Sequence, residues 1–132
     1  MSTEKILAIV DDEAAVRAGM GTLMRSIDVK AELFGSADCL LRSDLGRYAC
    51  ILSDIQMPGR SGLELLASVR RSHPDIPVIL MTAFPDDRVR EQARLGGAYQ
   101  FLTKPCDPDM IVDLVETLLA SDVRPAGSDP SL

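Results

Sequence analysis

The stretch "CILSDIQMPGR", residues 50–60, joins a short apolar run to a bare carboxylate. Residues 50–52 have the continuous apolar character of a strand that is covered on both faces, as in a parallel sheet. The run stops at Asp54, and a turn containing Pro58 and Gly59 follows almost at once. A carboxylate at the end of a buried strand needs compensating partners. Those partners must come from other segments of the chain.

Four further apolar runs, at residues 6–10, 31–34, 78–81 and 99–102, alternate with segments of helical length. The helical segments carry start and stop signals, and Gly96 and Gly97 can end the helix that carries residues 88–95. Ser61 and Glu64 form a capping-box pattern, and Asp107 precedes a proline suited to the first position of a helix. Five strand–helix units in this order predict an α/β fold: a five-stranded parallel sheet flanked by helices on both faces, doubly wound.

Composition limits the classes of function. A length of 132 residues suits one domain, and the net charge of −6 argues against direct nucleic-acid binding. Three cysteines without metal spacing fit a reducing cytoplasm, and the first apolar run is too short for a signal peptide or membrane span. We expect a cytoplasmic chain with no membrane contact. Residues 1–120 form the predicted domain, and the Pro-, Gly- and Ser-rich residues 121–132 form a linker or disordered tail.

Polar residues follow four of the five predicted strands. Because ligands of open parallel sheets bind beyond the carboxyl ends of the strands, these residues should meet at one rim. They are Asp11, Asp12 and Glu13 after the first run, Asp54 after the third, Thr82 after the fourth, and Lys104 after the fifth.

This mixture of side chains favours metal and phosphoryl chemistry. Clustered carboxylates repel one another, and Mg²⁺ relieves the repulsion through oxygen ligands. A carboxylate can also attack phosphorus to give an aspartyl phosphate, whose oxygens need hydroxyl and ammonium partners. Each residue alone has an ordinary explanation: acids favour helix starts, Asp is common in turns, Thr is often structural, and Lys is often a solvated charge. Complementary groups at four strand ends favour the functional interpretation.

Four motifs together resemble the receiver domain of two-component response regulators. They are "VDDE" at 10–13, "SDIQMPGRSGLELL" at 53–66, "MTAF" at 81–84 and "GAYQFLTKPCD" at 97–107. The resemblance covers about residues 5–120, and the second motif is most similar to receivers of the FixJ type. It implies a flavodoxin-like (βα)5 fold.

The resemblance also implies roles for individual residues. Asp54 is implied to be the phosphoacceptor, with Lys104 and Thr82 as its catalytic partners, and the Lys104–Pro105 bond is implied to be cis. The remaining roles fall into three sets: Mg²⁺ ligands Asp11, Asp12, Asp54 and the backbone carbonyl of Gln56; phosphoryl contacts Thr82, the Ala83 amide and Lys104; and switch residues Thr82 and Phe101.

The implied partner is a sensor histidine kinase whose phosphohistidine donates the phosphoryl group. The chain would then be a signalling switch rather than an enzyme, catalysing only its own phosphorylation and dephosphorylation. FixJ-type receivers usually precede a DNA-binding domain, which implies transcription regulation as the output. The sequence departs from the family at Cys106, where an aromatic residue is common. Gln56 and Phe84 occupy variable positions that tune the lifetime of the phosphoryl group.

A homodimer is predicted through the fourth helix, fifth strand and fifth helix. Arg90 and Arg94 share a face of the fourth helix, and acids at positions 109, 113 and 116 share a face of the fifth. These faces could pair about a two-fold axis, or both could simply be solvated.

Two other functions stay open. A haloacid-dehalogenase-type aspartyl phosphatase also uses Asp and Mg²⁺, although it places its nucleophile after the first strand in an Asp-x-Asp pattern. A receiver-fold interaction module that never takes up phosphate is the second. A nucleotide-binding module is weaker, since no phosphate-binding glycine motif follows the first strand.

Overall fold

The structure, a computed structural model, describes residues 5–120. Five parallel strands form one sheet in the order β2-β1-β3-β4-β5. The strands are β1 (Ile6–Val10), β2 (Lys30–Phe34), β3 (Tyr48–Asp54), β4 (Val78–Thr82) and β5 (Gln100–Thr103). The predicted fold class is confirmed. The linker or tail predicted at 121–132 lies outside the described residues.

Helices cover both faces of this sheet. They are α1 (Ala14–Ser26), α2 (Ala37–Leu41), α3 (Gly62–Ser72), α4 (Asp87–Leu95) and α5 (Pro108–Ala120), with a 3₁₀ turn at Leu45–Arg47. Successive strand residues point to opposite faces, so Ala8 joins the core cluster under α2, α3 and α4, whereas Ile9 joins the cluster under α1 and α5. Burial on both faces explains why the central strands β1, β3 and β4 read as continuous apolar runs, whereas the edge strands β2 and β5 are only partly buried. None of the helices within residues 5–120 combines the length and the apolar character needed to cross a membrane.

The predicted helix boundaries are present in the structure. The Ser61 hydroxyl accepts a hydrogen bond from the Glu64 amide at 3.2 Å, and the Glu64 carboxylate accepts from the Ser61 amide at 2.8 Å. Asp107 accepts from the amide of Asp109 at 2.9 Å at the start of α5, and Gly96 caps the end of α4. These bonds satisfy backbone groups that a helix end leaves without partners.

The strand order places a topological switch point between β1 and β3. From β1 the chain first winds to β2 on one side, and then crosses back to β3 on the other side. Asp11 follows the last residue of β1, and Asp54 is the last residue of β3. Side chains from two distant parts of the sequence therefore meet where open α/β sheets bind their ligands.

Gly62 fixes the connection that carries Asp54. Its amide donates to the carbonyl of Ile55 at 2.9 Å, which brings the start of α3 against the end of β3. A Cβ atom at this position would lie 2.3 Å from the Asp54 carbonyl oxygen and 2.9 Å from the Ile55 Cα. Both atoms belong to the backbone, so no flexible side chain can move aside. The phosphoacceptor candidate is thus held by a contact that only glycine permits.

Gly62→Ala is expected to destabilise the fold, because the backbone of β3 or α3 must shift. We expect a loss of about 1–3 kcal/mol in the free energy of unfolding, the usual cost of overpacking. Urea denaturation followed by circular dichroism measures it. The matched control is Gly19→Ala in α1, where a Cβ meets nothing within 4 Å. That change should stabilise the helix by about 0.5–1 kcal/mol. Equal effects of the two substitutions would contradict the role given to Gly62.

Candidate functional site

Asp54 lies at the carboxyl end of β3 and is 6% exposed. One carboxylate oxygen, Oδ1, accepts a hydrogen bond from the amide of Ile55 at 2.9 Å. The other, Oδ2, lies 3.3 Å from the ammonium nitrogen of Lys104. The carboxylate at the end of the buried strand is therefore compensated by a residue fifty positions away in the chain, as the strand-end pattern predicted.

Asp11 and Lys104 form the other half of this pocket. Asp11 is fully buried, and its Oδ2 accepts from Lys104 Nζ at 2.9 Å, while its Oδ1 accepts from the amide of Glu13. Arg17 donates to the Asp11 backbone carbonyl at 2.6 Å. One ammonium group thus contacts carboxylates from two strands. Because α1 begins only at Ala14, Asp11 belongs to this pocket and not to the first turn of the helix.

Burial and charge shift the ionisation of the central pair. Burial raises the pKa of Asp54, the Lys104 ammonium lowers it, and the Asp11 carboxylate raises it again; the net pKa is raised. For Lys104, burial acts to lower the pKa, but the bond to Asp11 and the charge of Asp54 outweigh burial and raise it. The pocket therefore stabilises the charged form of Lys104 and partly destabilises the ionised form of Asp54.

Asp11, Asp12 and Asp54 fit a metal ion of the magnesium type. One carboxylate oxygen from each residue lies within 4.8 Å of the others, and Asp12 is exposed at the mouth of the pocket. Hard oxygen donors on an open, water-accessible edge match the preference of Mg²⁺, which keeps several waters and takes few carboxylates. The structure brings together the three predicted acidic ligands. The predicted ligation by the Gln56 carbonyl stays a prediction.

Thr82 ends β4 and is fully buried, directly after the residue that pairs with Asp54 in the sheet. Its hydroxyl donates to the side-chain oxygen of Gln56 at 2.7 Å and accepts from the amide of Phe84 at 3.0 Å. The bond to Gln56 was not predicted, because sequence places Gln56 in a loop without specifying where its side chain points. The predicted contact between the Ala83 amide and a phosphoryl oxygen stays a prediction; Ala83 follows Thr82 and is exposed.

Phe101 lies on β5, half-buried against the core cluster under α2, α3 and α4. The guanidinium carbon of Arg90 lies 4.7 Å from the centre of its ring, a cation–π contact. The sequence predicted that Arg90 and Arg94 share a basic face of this helix. In the structure a guanidinium nitrogen of Arg94 lies 2.6 Å from a carboxylate oxygen of Glu91 on the same helix. Both arginines therefore have partners within the chain.

A groove of about 730 Å³ opens beside the pocket, between α1 and the start of α5. Its wall is mainly apolar and includes Met20, Ile111, Cys106, Ala83 and Lys104. Burial raises the pKa of the Cys106 thiol, with the charge of Lys104 opposing and that of Asp54 adding to the shift. The Cys106 side chain is partly buried and packs against the core cluster under α1 and α5. The Lys104–Pro105 bond is cis, which confirms the implication of the resemblance.

An open parallel sheet with an acidic triad and a partly buried lysine at the carboxyl ends of its strands defines an α/β protein whose pocket has side chains suited to a divalent cation and an anion. The response regulator receiver domain family matches residues 7–116. The transcriptional regulatory protein FixJ of Bradyrhizobium diazoefficiens is 31% identical over 120 residues, covering 90% of this chain and 58% of FixJ. TdiR, a transcriptional regulatory protein of Thauera aromatica, is 34% identical over 113 residues, covering 85% and 50%. This chain belongs to the response regulator receiver domain family.

Solved structures agree on the fold. A beryllofluoride-activated DrrB receiver domain superposes with a TM-score of 0.80 at 22% identity, covering 89% of this chain and 99% of that one. The chemotaxis protein CheY4 of Vibrio cholerae gives 0.79 at 20% identity, covering 87% and 98%. At this identity the likeness shows the fold alone.

Membership in the family defines the class of function. Receiver domains act in two-component signalling, and the family implies phosphorylation on an aspartate, a cognate sensor kinase and an output domain. Receiver domains use Mg²⁺ at an acidic pocket, and the cluster of Asp11, Asp12 and Asp54 is an acidic pocket that could hold a metal ion. The chain spans only about half the length of the relatives FixJ and TdiR.

Proposed function

We propose that Asp54 accepts a phosphoryl group from a phosphohistidine of a sensor histidine kinase. The observation that carries this proposal is the position of Lys104 Nζ, within 3.3 Å of carboxylate oxygens of both Asp54 and Asp11. A charged lysine held at the acceptor can stabilise the charge that develops on phosphoryl oxygens. Asp54 Oδ bonds to phosphorus while the P–N bond of the donor breaks, and the bonding electrons leave with the imidazole nitrogen.

Magnesium would be held by Asp11, Asp12 and Asp54, with the Gln56 backbone carbonyl as a further ligand. When bound, it supplies positive charge that offsets the repulsion between the carboxylates and the phosphoryl oxygens. Lys104 keeps its proton throughout, since its carboxylate partners raise its pKa. Thr82 and the Ala83 amide would donate hydrogen bonds to the remaining phosphoryl oxygens.

The phosphoryl group would act as a switch through Thr82 and Phe101. Movement of Thr82 toward the site leaves space beside β5, into which the half-buried Phe101 ring can turn. That movement would break the contact of the ring with Arg90, because the guanidinium packs on its present position. The exposed surface of α4 and β5 would therefore change on phosphorylation. The chain would catalyse only its own phosphorylation and dephosphorylation.

We propose that the changed surface joins two copies and controls transcription, an output supported by the transcriptional relatives. Release of Arg90 from Phe101 would free a cation on α4 to meet the acids of α5 in a second copy. Sedimentation velocity with and without beryllofluoride and Mg²⁺ tests this step. The proposal requires dimers only in the presence of the analogue; a monomer under both conditions would rule out the dimer and leave the phosphorylation proposal untouched.

Intact-protein mass spectrometry after treatment with acetyl phosphate and Mg²⁺ tests the phosphorylation proposal. A receiver should take up one phosphoryl group per chain, and EDTA should prevent uptake. Multiple turnover of an unrelated phosphate ester would instead support an aspartyl phosphatase. A chain that gains no mass from acetyl phosphate or from a phosphorylated kinase would be an interaction module.

A further inference from the structure

The side chain of Gln56 makes a specific contact with the switch residue Thr82. Gln56 lies in the loop after β3, is exposed, and its side-chain oxygen accepts the Thr82 hydroxyl proton at 2.7 Å. Thr82 itself is fully buried at the end of the neighbouring strand. The loop that would contribute a backbone carbonyl to the metal is thus connected, through its side chain, to the hydroxyl proposed to bind the phosphoryl group.

A hydroxyl group has one proton to donate. In the structure that proton is directed to Gln56, while the oxygen accepts from the Phe84 amide at 3.0 Å. Donation to a phosphoryl oxygen would use the same proton. The bond to Gln56 and the bond to a phosphoryl group are therefore mutually exclusive, and any state in which Thr82 serves the phosphoryl group must release Gln56.

We propose that Gln56 is a positioning residue that holds Thr82 in the resting conformation and opposes activation until a phosphoryl group competes for the hydroxyl. This inference rests on the proposed function of Thr82. The Gln56 side chain acts through Thr82, separately from the backbone carbonyl of the same residue. Because Thr82 is buried, water is a poor replacement for the Gln56 acceptor. The hydrogen bond therefore stabilises the resting conformation more than a solvent-exposed hydrogen bond would.

Removing the acceptor should shift the resting equilibrium toward the activated arrangement. A ligand that needs the activated arrangement then binds more tightly, because less of its binding free energy is spent on breaking the bond. Gln56→Met is the informative variant: it keeps the length and most of the volume but has no strong acceptor. Gln56→Glu keeps an acceptor oxygen at the same distance along the side chain.

The experiment is an NMR titration of the full chain with beryllofluoride in Mg²⁺, following the Phe84 amide and the Thr82 methyl group. We expect Gln56→Met to bind the analogue about two- to tenfold more tightly than the unsubstituted chain. Before any analogue is added, its Phe84 and Thr82 signals should already move toward their analogue-bound positions. In Gln56→Glu the same signals should stay at the resting positions, because the acceptor is retained.

A double-mutant cycle separates this role from an effect on solvent access to the site. In a Thr82→Val background, Gln56→Met should change the affinity by less than about twofold, since the shared hydrogen bond no longer exists. The inference would be overturned if Gln56→Met changed the affinity for beryllofluoride by its full amount in the Thr82→Val background. It would also be overturned if Gln56→Met alone left both the affinity and the resting NMR signals unaltered. Failure of the proposed function would give a different result. The unsubstituted chain would bind no beryllofluoride, but the resting signal of the Phe84 amide would still change when Gln56 is substituted.

Discussion

Asp54→Asn is expected to abolish phosphoryl uptake and, at neutral pH, to raise the stability of the unphosphorylated chain. The first effect follows because an amide oxygen is a poor nucleophile toward phosphorus and forms no stable acyl phosphate. The second follows from the raised pKa of Asp54. Burial disfavours the ionised carboxylate, the Lys104 ammonium compensates in part, and the Asp11 carboxylate adds repulsion.

The pH dependence of the stability gain has a definite sign. A folded-state pKa above the unfolded value means that the folded chain binds the proton more tightly, so stability falls as pH rises through the interval between the two values. Above the raised pKa the full cost of the ionised Asp54 is present, and Asn removes it. Below the unfolded pKa the carboxyl is neutral in both states. The stabilisation by Asp54→Asn should therefore be largest above the raised pKa and disappear in acid, below the unfolded pKa.

Thermal unfolding in EDTA at several pH values, together with radiolabelling from acetyl phosphate, measures both effects. The control is Asp86→Asn at the start of α4, where the side chain caps the Val89 amide at 2.8 Å. Asn caps helices as well as Asp does, so this variant should label normally and keep its stability. Label retained by Asp54→Asn, or a loss of stability at neutral pH, would contradict the role given to Asp54.

Lys104→Met is expected to slow phosphoryl uptake by about 10²–10³-fold, the usual cost of losing one donor that stabilises transition-state charge. The fold should also suffer, because Asp11 and Asp54 lose the ammonium that lies 2.9 Å and 3.3 Å from their oxygens. We expect a loss of about 1–3 kcal/mol without metal, since a buried charge is left without its partner. Saturating Mg²⁺ should restore much of this loss by supplying positive charge to the same oxygens.

Lys104→Arg separates charge from shape. A guanidinium keeps the positive charge but is planar and wider, so it should retain more stability than Met while still slowing phosphoryl uptake. Chemical denaturation with EDTA and with Mg²⁺ gives the stability, and rapid-quench labelling gives the rate. Met and Arg variants that both label at the rate of the unsubstituted chain would remove Lys104 from the mechanism. A Met variant that Mg²⁺ fails to stabilise more than the unsubstituted chain would contradict the electrostatic account.

The centre of the sheet could be predicted because β1, β3 and β4 are buried on both faces, which leaves continuous apolar runs. The edge strands β2 and β5 are only partly buried, and polar residues interrupt their runs. The boundaries were less accurate where polar residues join a strand. Strand β3 begins at Tyr48, two residues before its apolar run, because the Tyr48 ring is buried while its hydroxyl donates to Glu32 on β2 at 2.6 Å. Glu32 also binds Arg47, and the hydrogen bond from Tyr48 is the main cause of its lowered pKa. Sequence alone shows neither the pairing nor the burial.

The pocket could be predicted because its acids and lysine follow strands, and parallel strands end at the same edge. Contacts that depend on the direction of a side chain could not be predicted from the sequence. Gln56 binds Thr82 across 26 positions, and Arg90 stacks on Phe101 from the neighbouring helix. Spacing within a helix predicted that Arg90 and Arg94 share a face of α4, but it did not indicate their partners Phe101 and Glu91. Residue spacing shows which side chains share a face of a helix, whereas the partner of each side chain depends on which residues the fold places opposite that face.

Locating the phosphoryl group within the chain tests the central claim most directly. Borohydride reduces an aspartyl phosphate to homoserine, so reduction of the labelled chain followed by peptide mass spectrometry identifies the acceptor. The account predicts homoserine at position 54 alone, formed only when Mg²⁺ was present during labelling. Homoserine at position 11 or 12, or label carried by His73, the single histidine of the sequence, with position 54 unmodified, would contradict it.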